Sequence, residues 1–225
     1  MATPDGPLIL TLDAALGGCS AGVVGPGGVL AERRADGARG QVAALPAMAQ
    51  AALAQAGAVP AQLAMVAVTI GPGSFTGIRA ALSLAHGVAL AAGVPVVGVT
   101  VGEALRVSDT GRAQDGRAQW VAVDSRRGRV FLDRGGEVAT VALDALPDPS
   151  GPVSVAGDAA VAVASRLAAR GFDVLLLPGR MPTPAGVAAA AQRRMAAGPD
   201  VRPAQPLYVD PPEARPATRT STPRA

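Results

Sequence analysis

There is no lysine in the 225 residues: all 20 basic residues are arginine, and there is a single histidine and a single cysteine. Without lysine the chain has no Schiff-base nucleophile, no Lys for a Walker-type phosphate loop and no Ser-Lys dyad. His86 alone cannot give a metal two imidazole ligands, so no metal site is expected. Cys19 alone cannot close an internal disulfide; together with the lack of a secretory leader, this leads us to expect a cytoplasmic protein. Aromatic residues make up only 2% of the chain, too few for the stacking platforms that hold single-stranded nucleic acid. The formal net charge is +3, and the isoelectric point near 10.3 reflects the high pKa of guanidinium more than an excess of cations. Long uninterrupted apolar runs are also missing. The longest candidate, Ile78–Val101, carries Arg79 and His86 and is broken by Gly87, Gly93 and Pro95, so it reads as helix, turn and strand, and no membrane is expected.

What the chain does have is small apolar residues: 49% are hydrophobic, with 28 Gly and 20 Pro. The length allows one large or two small domains. Leu8–Asp13, Cys19–Val24 and Val29–Arg34 read as three strands separated by glycine turns. Val42–Ala56 reads as a helix ended by Gly57, Leu63–Ile70 as a strand, Thr76–Ala92 as a helix closed by Gly93, and Val94–Val99 as a strand. This order predicts an α/β sheet of mixed direction. After the polar stretch Ser108–Arg117 the outline repeats, with strands at Gln119–Asp124, Arg129–Asp133 and Glu137–Val141. Then come a strand at Val153–Ala156, a helix at Asp158–Arg170, a strand at Val174–Leu177 and a helix at Ala185–Ala197. The echo predicts two domains of similar topology, 1–108 and 109–200. The proline- and arginine-rich 201–225 then reads as an extended or disordered tail anchored by Leu207 and Tyr208.

Candidate chemistry concentrates at Gly71-Pro72-Gly73-Ser74-Phe75-Thr76-Gly77-Ile78-Arg79, between a strand and a helix. Such a loop can cradle an anion with backbone N–H groups and a helix N-terminus, with Gly71, Gly73, Ser74, Thr76 and Gly77 as the contacting residues. It can equally be a tight turn capped by Ser74 or Thr76. Neither the Walker pattern nor G-x-G-x-x-G fits it. Asp13, at the end of the first strand and before a glycine-containing turn, resembles the phosphate-loop acid of actin-like ATPases. Ala14-Ala15-Leu16 offers no hydroxyl, however, so an acid held by turn N–H groups is the better reading than a magnesium ligand. His86 shares a polar stripe with Arg79 and Ser83 and reads as a solvated or interface residue, and Cys19 as a small core residue. Arg126, Arg127 and Arg129 flank a turn beside Asp124 and Asp133; they read as a contact for RNA or an acidic partner, or as a solvated turn. No complete catalytic set emerges.

The helices are more informative. Val42–Ala56 and Thr76–Ala92 are apolar nearly all round, and a sheet in a small domain covers one face only. The other face points to a protein partner, with Leu45, Met48, Leu53, Ile78, Arg79, Leu82, Ser83 and His86 as the expected contact residues.

The run GPGSFTGIR, with Ala85-His86-Gly87, Pro95-Val96-Val97-Gly98-Val99, Val123-Asp124-Ser125-Arg126, Ala156-Gly157-Asp158 and Pro206-Leu207-Tyr208, resembles the TsaB (YeaZ) family over nearly the whole chain. The resemblance implies two actin-like (ribonuclease H-like) domains, each a mixed sheet with helices. It implies a non-catalytic scaffold in synthesis of threonylcarbamoyladenosine on tRNA, pairing with TsaD through the two N-terminal helices, joined by TsaE and self-associating when alone. It further implies that ATP and metal are held by partner subunits and that tRNA is met only through the complex. The chain departs from the family pattern at Ala14, Gln41 and Val209-Asp210. The alternative function is an actin-like ATPase or small-molecule kinase using Asp13 and the glycine loop.

Overall fold

Strands β1 (Leu8–Asp13), β2 (Gly18–Gly25) and β3 (Gly28–Asp36) form an antiparallel meander, joined through the turns at 14–17 and 26–27. The computed structural model describes residues 6–37, 41–108, 116–125, 128–198 and 204–209. Helix α1 (Leu45–Ala56) follows a short 3-10 turn, Gln41–Ala44. It starts three residues later than the apolar pattern predicts because Pro46, which has no N–H to donate, is at home only in a first turn. β4 (Leu63–Thr69) then pairs parallel with β1, and β5 (Val96–Val99) pairs parallel with β4. Helix α2 (Phe75–Ala92) makes the crossover between them and is ended by Gly93 in the left-handed conformation, while α3 (Val101–Ser108) leaves the sheet.

The second unit repeats this plan. β6 (Ala118–Asp124), β7 (Arg129–Asp133) and β8 (Val138–Ala142) are antiparallel, and β9 (Val153–Ala156) lies parallel to β6. Helix α4 (Ala160–Ala169) leads to β10 (Val174–Leu176), which is parallel to β9. The sheet orders are β3-β2-β1-β4-β5 and β8-β7-β6-β9-β10, the same order with each number raised by five. The echo in the sequence is therefore a repeated topology. The second unit has no counterpart of α1, because the proline-containing stretch 143–152 stands where that helix would be.

Alternation along the strands sorts the side chains of the first sheet. Leu8, Leu10, Leu12, Val66 and Val68 face α1 and α2, with Leu45, Ala49, Ala52, Ile78, Ala81, Leu82 and Ala85 closing that core. Ile9, Ala67, Val97 and Val99 point to the opposite face, where they meet Ala104 of α3 and Val187, Ala188, Ala190 and Ala191 of α5 (Pro184–Ala196). This corrects the boundary at 200: α5 follows the second unit in sequence but packs on the first sheet. Gly22 admits it, since a Cβ there would lie 2.5 Å from Pro184 Cβ. Arg194 of α5 donates to both carboxylate oxygens of Glu103 on α3, at 2.9 and 2.8 Å. Glu103 also accepts from the Thr100 N–H, and its own N–H is taken by Thr100 Oγ1, a reciprocal cap that starts α3.

In the second unit Trp120, Ala122, Val130, Leu132, Val153 and Val155 pack on α4, and Val121, Val123 and Ala156 join the first core. Residues 204–209 return to the first unit, with Ala204 buried and the Leu207 N–H donating to Ile70 O at 2.8 Å. The rest of the expected tail, and Arg126 and Arg127, lie outside the described residues. Among the described helices α2 alone is long and apolar enough to cross a membrane by length and composition; its inner face is part of the core of the first unit.

Candidate functional site

Asp13 ends β1 and is 1% exposed. Its Oδ1 accepts from Thr69 Oγ1 at 2.5 Å and from the Ala15 N–H at 3.2 Å, while Oδ2 is buried without a hydrogen-bond partner. Burial pushes the carboxyl up from its ordinary value to about 6, against the opposing pull of these two hydrogen bonds. The turn N–H foreseen from sequence is present. Thr69, the stronger partner, is supplied by β4 and sits 56 positions away.

The glycine loop folds onto the turn after Asp13. The Ser74 N–H donates to Ala15 O at 2.6 Å, and Ser74 Oγ accepts from the Gly77 N–H at 3.2 Å as the N-cap of α2. A Cβ on Gly73 would lie 2.0 Å from Ala15 O, and one on Gly77 the same distance from Ala14 O. The closest approaches in the loop are thus to the chain's own carbonyls. Of the two sequence readings, the capped strand-to-helix turn is the one this geometry builds. Gly71 continues it, accepting from the Val101 N–H at 2.8 Å. Thr76 is exposed on the first turn of α2. Among the described residues no three His, Cys, Asp or Glu side chains gather as a metal site would require.

The second unit makes a related contact from the other side: its accepting acid follows β9, the counterpart of β4, instead of ending β6. The Asp124 N–H donates to Asp158 Oδ1 at 2.9 Å, and a Cβ on Gly157 would meet Ala122 O at 2.1 Å. Asp158 is raised above its ordinary pKa, mainly by burial.

The outer faces of α1 and α2 form the broadest candidate surface. The residues expected there divide three ways. Leu45, Ile78 and Leu82 are corrections: all three lie in the core under the helices, on the sheet-facing side with Ala49, Ala52, Ala81 and Ala85. Met48 and Leu53 are half-buried and packed against that core. Arg79, Ser83 and His86 are exposed. Two residues missed from sequence complete their stripe, Phe75 at 57% exposure and Leu90 at 86%. The positions 75, 79, 83, 86 and 90 follow helical spacing, and that period, extended from Arg79 and His86, is the signal that finds them. The visible part of α1 is Pro46, Ala47, Gln50, Ala54 and Gln55.

The returning segment 204–209 borders this stripe. Arg79 donates to the Tyr208 hydroxyl from Nη2 at 2.7 Å and from Nε at 3.2 Å, and its guanidinium carbon stands 3.7 Å from the centre of the Phe75 ring. His86 Nε2 lies 3.1 Å from Ala204 O; a carbonyl only accepts, so Nε2 carries the proton.

A family model described as tRNA N6-adenosine threonylcarbamoyltransferase, TsaD, matches residues 26–170, more than half of the chain. The chain belongs to the TsaD family. An uncharacterized protein of Mycobacterium leprae is 32% identical over 96% of the chain, which spans 58% of that relative's length. An uncharacterized protein of Mycobacterium tuberculosis is 33% identical over 92% of the chain and 94% of its own length. Two solved structures from Pseudomonas aeruginosa share the fold. YeaZ has a TM-score of 0.69 and 23% identity, covering 90% of this chain and 99% of its own. An uncharacterized protein described as similar to peptidase YeaZ has a TM-score of 0.72 and 22% identity, covering 91% and 100%. This TsaD-family chain therefore has the two-domain actin-like fold of YeaZ, each domain a mixed five-stranded sheet with helices.

Proposed function

We propose that this chain is a non-catalytic subunit of the machinery that makes threonylcarbamoyladenosine on tRNA. It supports a cognate TsaD as that subunit transfers threonylcarbamoyl from threonylcarbamoyl-AMP to adenosine. Membership of the TsaD family supports a role in this pathway. The observation that carries the docking role is the exposed stripe of α2, with Phe75 and Leu90 at its ends and a 16-residue reach between them. A side chain as apolar as Leu90 standing 86% exposed on the outer face of a helix whose inner face is in the core is at home under a partner.

The rest of the chemistry supports the same division of labour. His86 is engaged by a backbone carbonyl, Asp13 is walled in by Thr69 and the turn, and the Ser74 and Gly77 N–H groups of the glycine loop bond to the chain itself. The partner contributes ATP and metal binding, TsaE joins the pair, tRNA is met through the assembled complex in the cytoplasm, and the chain self-associates by the same face when alone.

Co-purification with the cognate TsaD tests the reading. Leu90→Arg is expected to abolish the complex while leaving the thermal transition in place, since Leu90 makes no part of the core. Retention of the complex by Leu90→Arg would remove α2 from the interface.

A further inference from the structure

Arg79 is the only permanently charged residue on α1 and α2 together, and neither helix carries an aspartate or glutamate. It is held in place from two sides. The Phe75 ring lies against one side of the guanidinium, and Nε and Nη2 share the Tyr208 hydroxyl. Among the described residues Nη1 makes no hydrogen bond, and Arg79 has no carboxylate partner. An exposed, pre-oriented guanidinium with a free edge, on a stripe it shares with Phe75, Ser83, His86 and Leu90, is suited to bind a planar carboxylate.

A two-fold dimer of this chain through α1 and α2 brings Arg79 no carboxylate from either helix. In such a dimer one patch faces its own copy, so the patch must complement itself. Here it would set a cation against two helices with no acid to offer. A different protein can bring the acid.

We propose that Arg79 is the specificity residue of the α1–α2 face: it pairs with a carboxylate on a helix of the heterologous partner, a bond that self-association through α1 and α2 lacks, so the heterocomplex is favoured over a second copy of this chain. The proposal rests on the docking role assigned above and adds the chemistry that the partner must present. The occupant is a protein helix with an Asp or Glu set among small apolar residues, so that it can lie close to the alanine-rich surface. Burial under the partner would then desolvate both charges, the condition in which a charge pair discriminates strongly between right and wrong partners.

The test measures association with the cognate TsaD by titration calorimetry, and self-association by sedimentation, for the full chain and the variants Arg79→Gln, Arg79→Glu and Tyr208→Phe. The expected result is a heterocomplex weakened about tenfold or more in Arg79→Gln and further in Arg79→Glu. Self-association is expected to stay unchanged or tighten in both. Tyr208→Phe, which keeps the ring and removes the hydroxyl, is expected to bind as the unmodified chain does. Two results would overturn the proposal while leaving the docking role intact: all three variants binding like the unmodified chain, or Tyr208→Phe losing as much as Arg79→Gln. The second would mean that Arg79 acts by holding the returning segment. Failure of the unmodified chain itself to bind would overturn the docking role and the proposal with it.

Discussion

Asp133 of β7 closes against Gly102 of α3 so tightly that a Cβ on Gly102 would stand 2.0 Å from Asp133 Oδ2. The contact joins the two units. Asp133 Oδ1 accepts from Arg106 of α3 and from the N–H groups of Gly135 at 3.0 Å and Gly136 at 2.7 Å. Arg106 and Asp133 thereby form a largely buried ion pair between the first unit and the second. Gly102→Ala is expected to displace the carboxylate and leave Arg106 uncompensated. Gly102 is the second residue of α3, where a methyl gains at most about 1 kcal/mol of helix propensity, and breaking a buried pair loses about 3–5 kcal/mol, so the net expectation is destabilisation of at least about 2 kcal/mol. Urea unfolding measures it; an alanine variant as stable as the parent would show that the latch carries no weight.

Stability should also depend on pH through Asp13. Its pKa in the folded chain is raised to about 6, so the folded state binds the proton more tightly than the unfolded one. The carboxyl therefore weakens the fold progressively as pH rises from the ordinary carboxylate range through about 6, and the full effect persists above that. Asp13→Asn cannot ionise and keeps an acceptor for Thr69 and Ala15. It is expected to raise stability by about 1–3 kcal/mol at about pH 8, with the difference shrinking towards about pH 4. Thermal unfolding across that range checks the sign; a variant less stable at the alkaline end would contradict the burial argument.

The glycine loop makes a third prediction. Gly73→Ala and Gly77→Ala would each drive a methyl onto a backbone carbonyl of the 14–15 turn, which has little freedom to move. A loss of about 2 kcal/mol or more is expected in each, read as a fall in the urea midpoint of the isolated chain. Unchanged midpoints would show that these glycines serve something other than the packing of loop on turn.

Leu45 and Leu90 separate core from surface. Leu45→Ala removes a fully buried side chain beneath α1 and is expected to cost about 2–5 kcal/mol, while Leu90→Ala should stay within about 0.5 kcal/mol. Equal losses at the two positions would contradict their placement.

Much of this architecture was legible in the sequence, for identifiable reasons. Short apolar runs separated by glycine turns marked both meanders, closing glycines marked the helix ends, and the motif from Gly71 to Arg79 marked the turn that positions α2. Helix faces were harder to read. A helix of alanine and leucine has no polar side to point outwards, so Leu45, Ile78 and Leu82 could be set on the surface as readily as Leu90. The docking of α5 escaped because a stripe of Val187, Ala188 and Ala191 suits either sheet; its real mark is Gly22, whose close approach to Pro184 shows only in three dimensions. The partners of Asp13 and His86 were hidden for another reason. Thr69 comes from a neighbouring strand, and the Ala204 carbonyl is backbone, which leaves no trace in residue type.

Reconstituted threonylcarbamoyl transfer to tRNA by the cognate TsaD, with and without this chain and with Leu90→Arg in its place, is the most direct measurement of the subunit's role. Transfer is expected to rise when the chain is added, to fail to rise with Leu90→Arg, and to be absent from the chain alone. Turnover by the isolated chain, or full support of TsaD by Leu90→Arg, would contradict a non-catalytic subunit that acts through the outer face of α2.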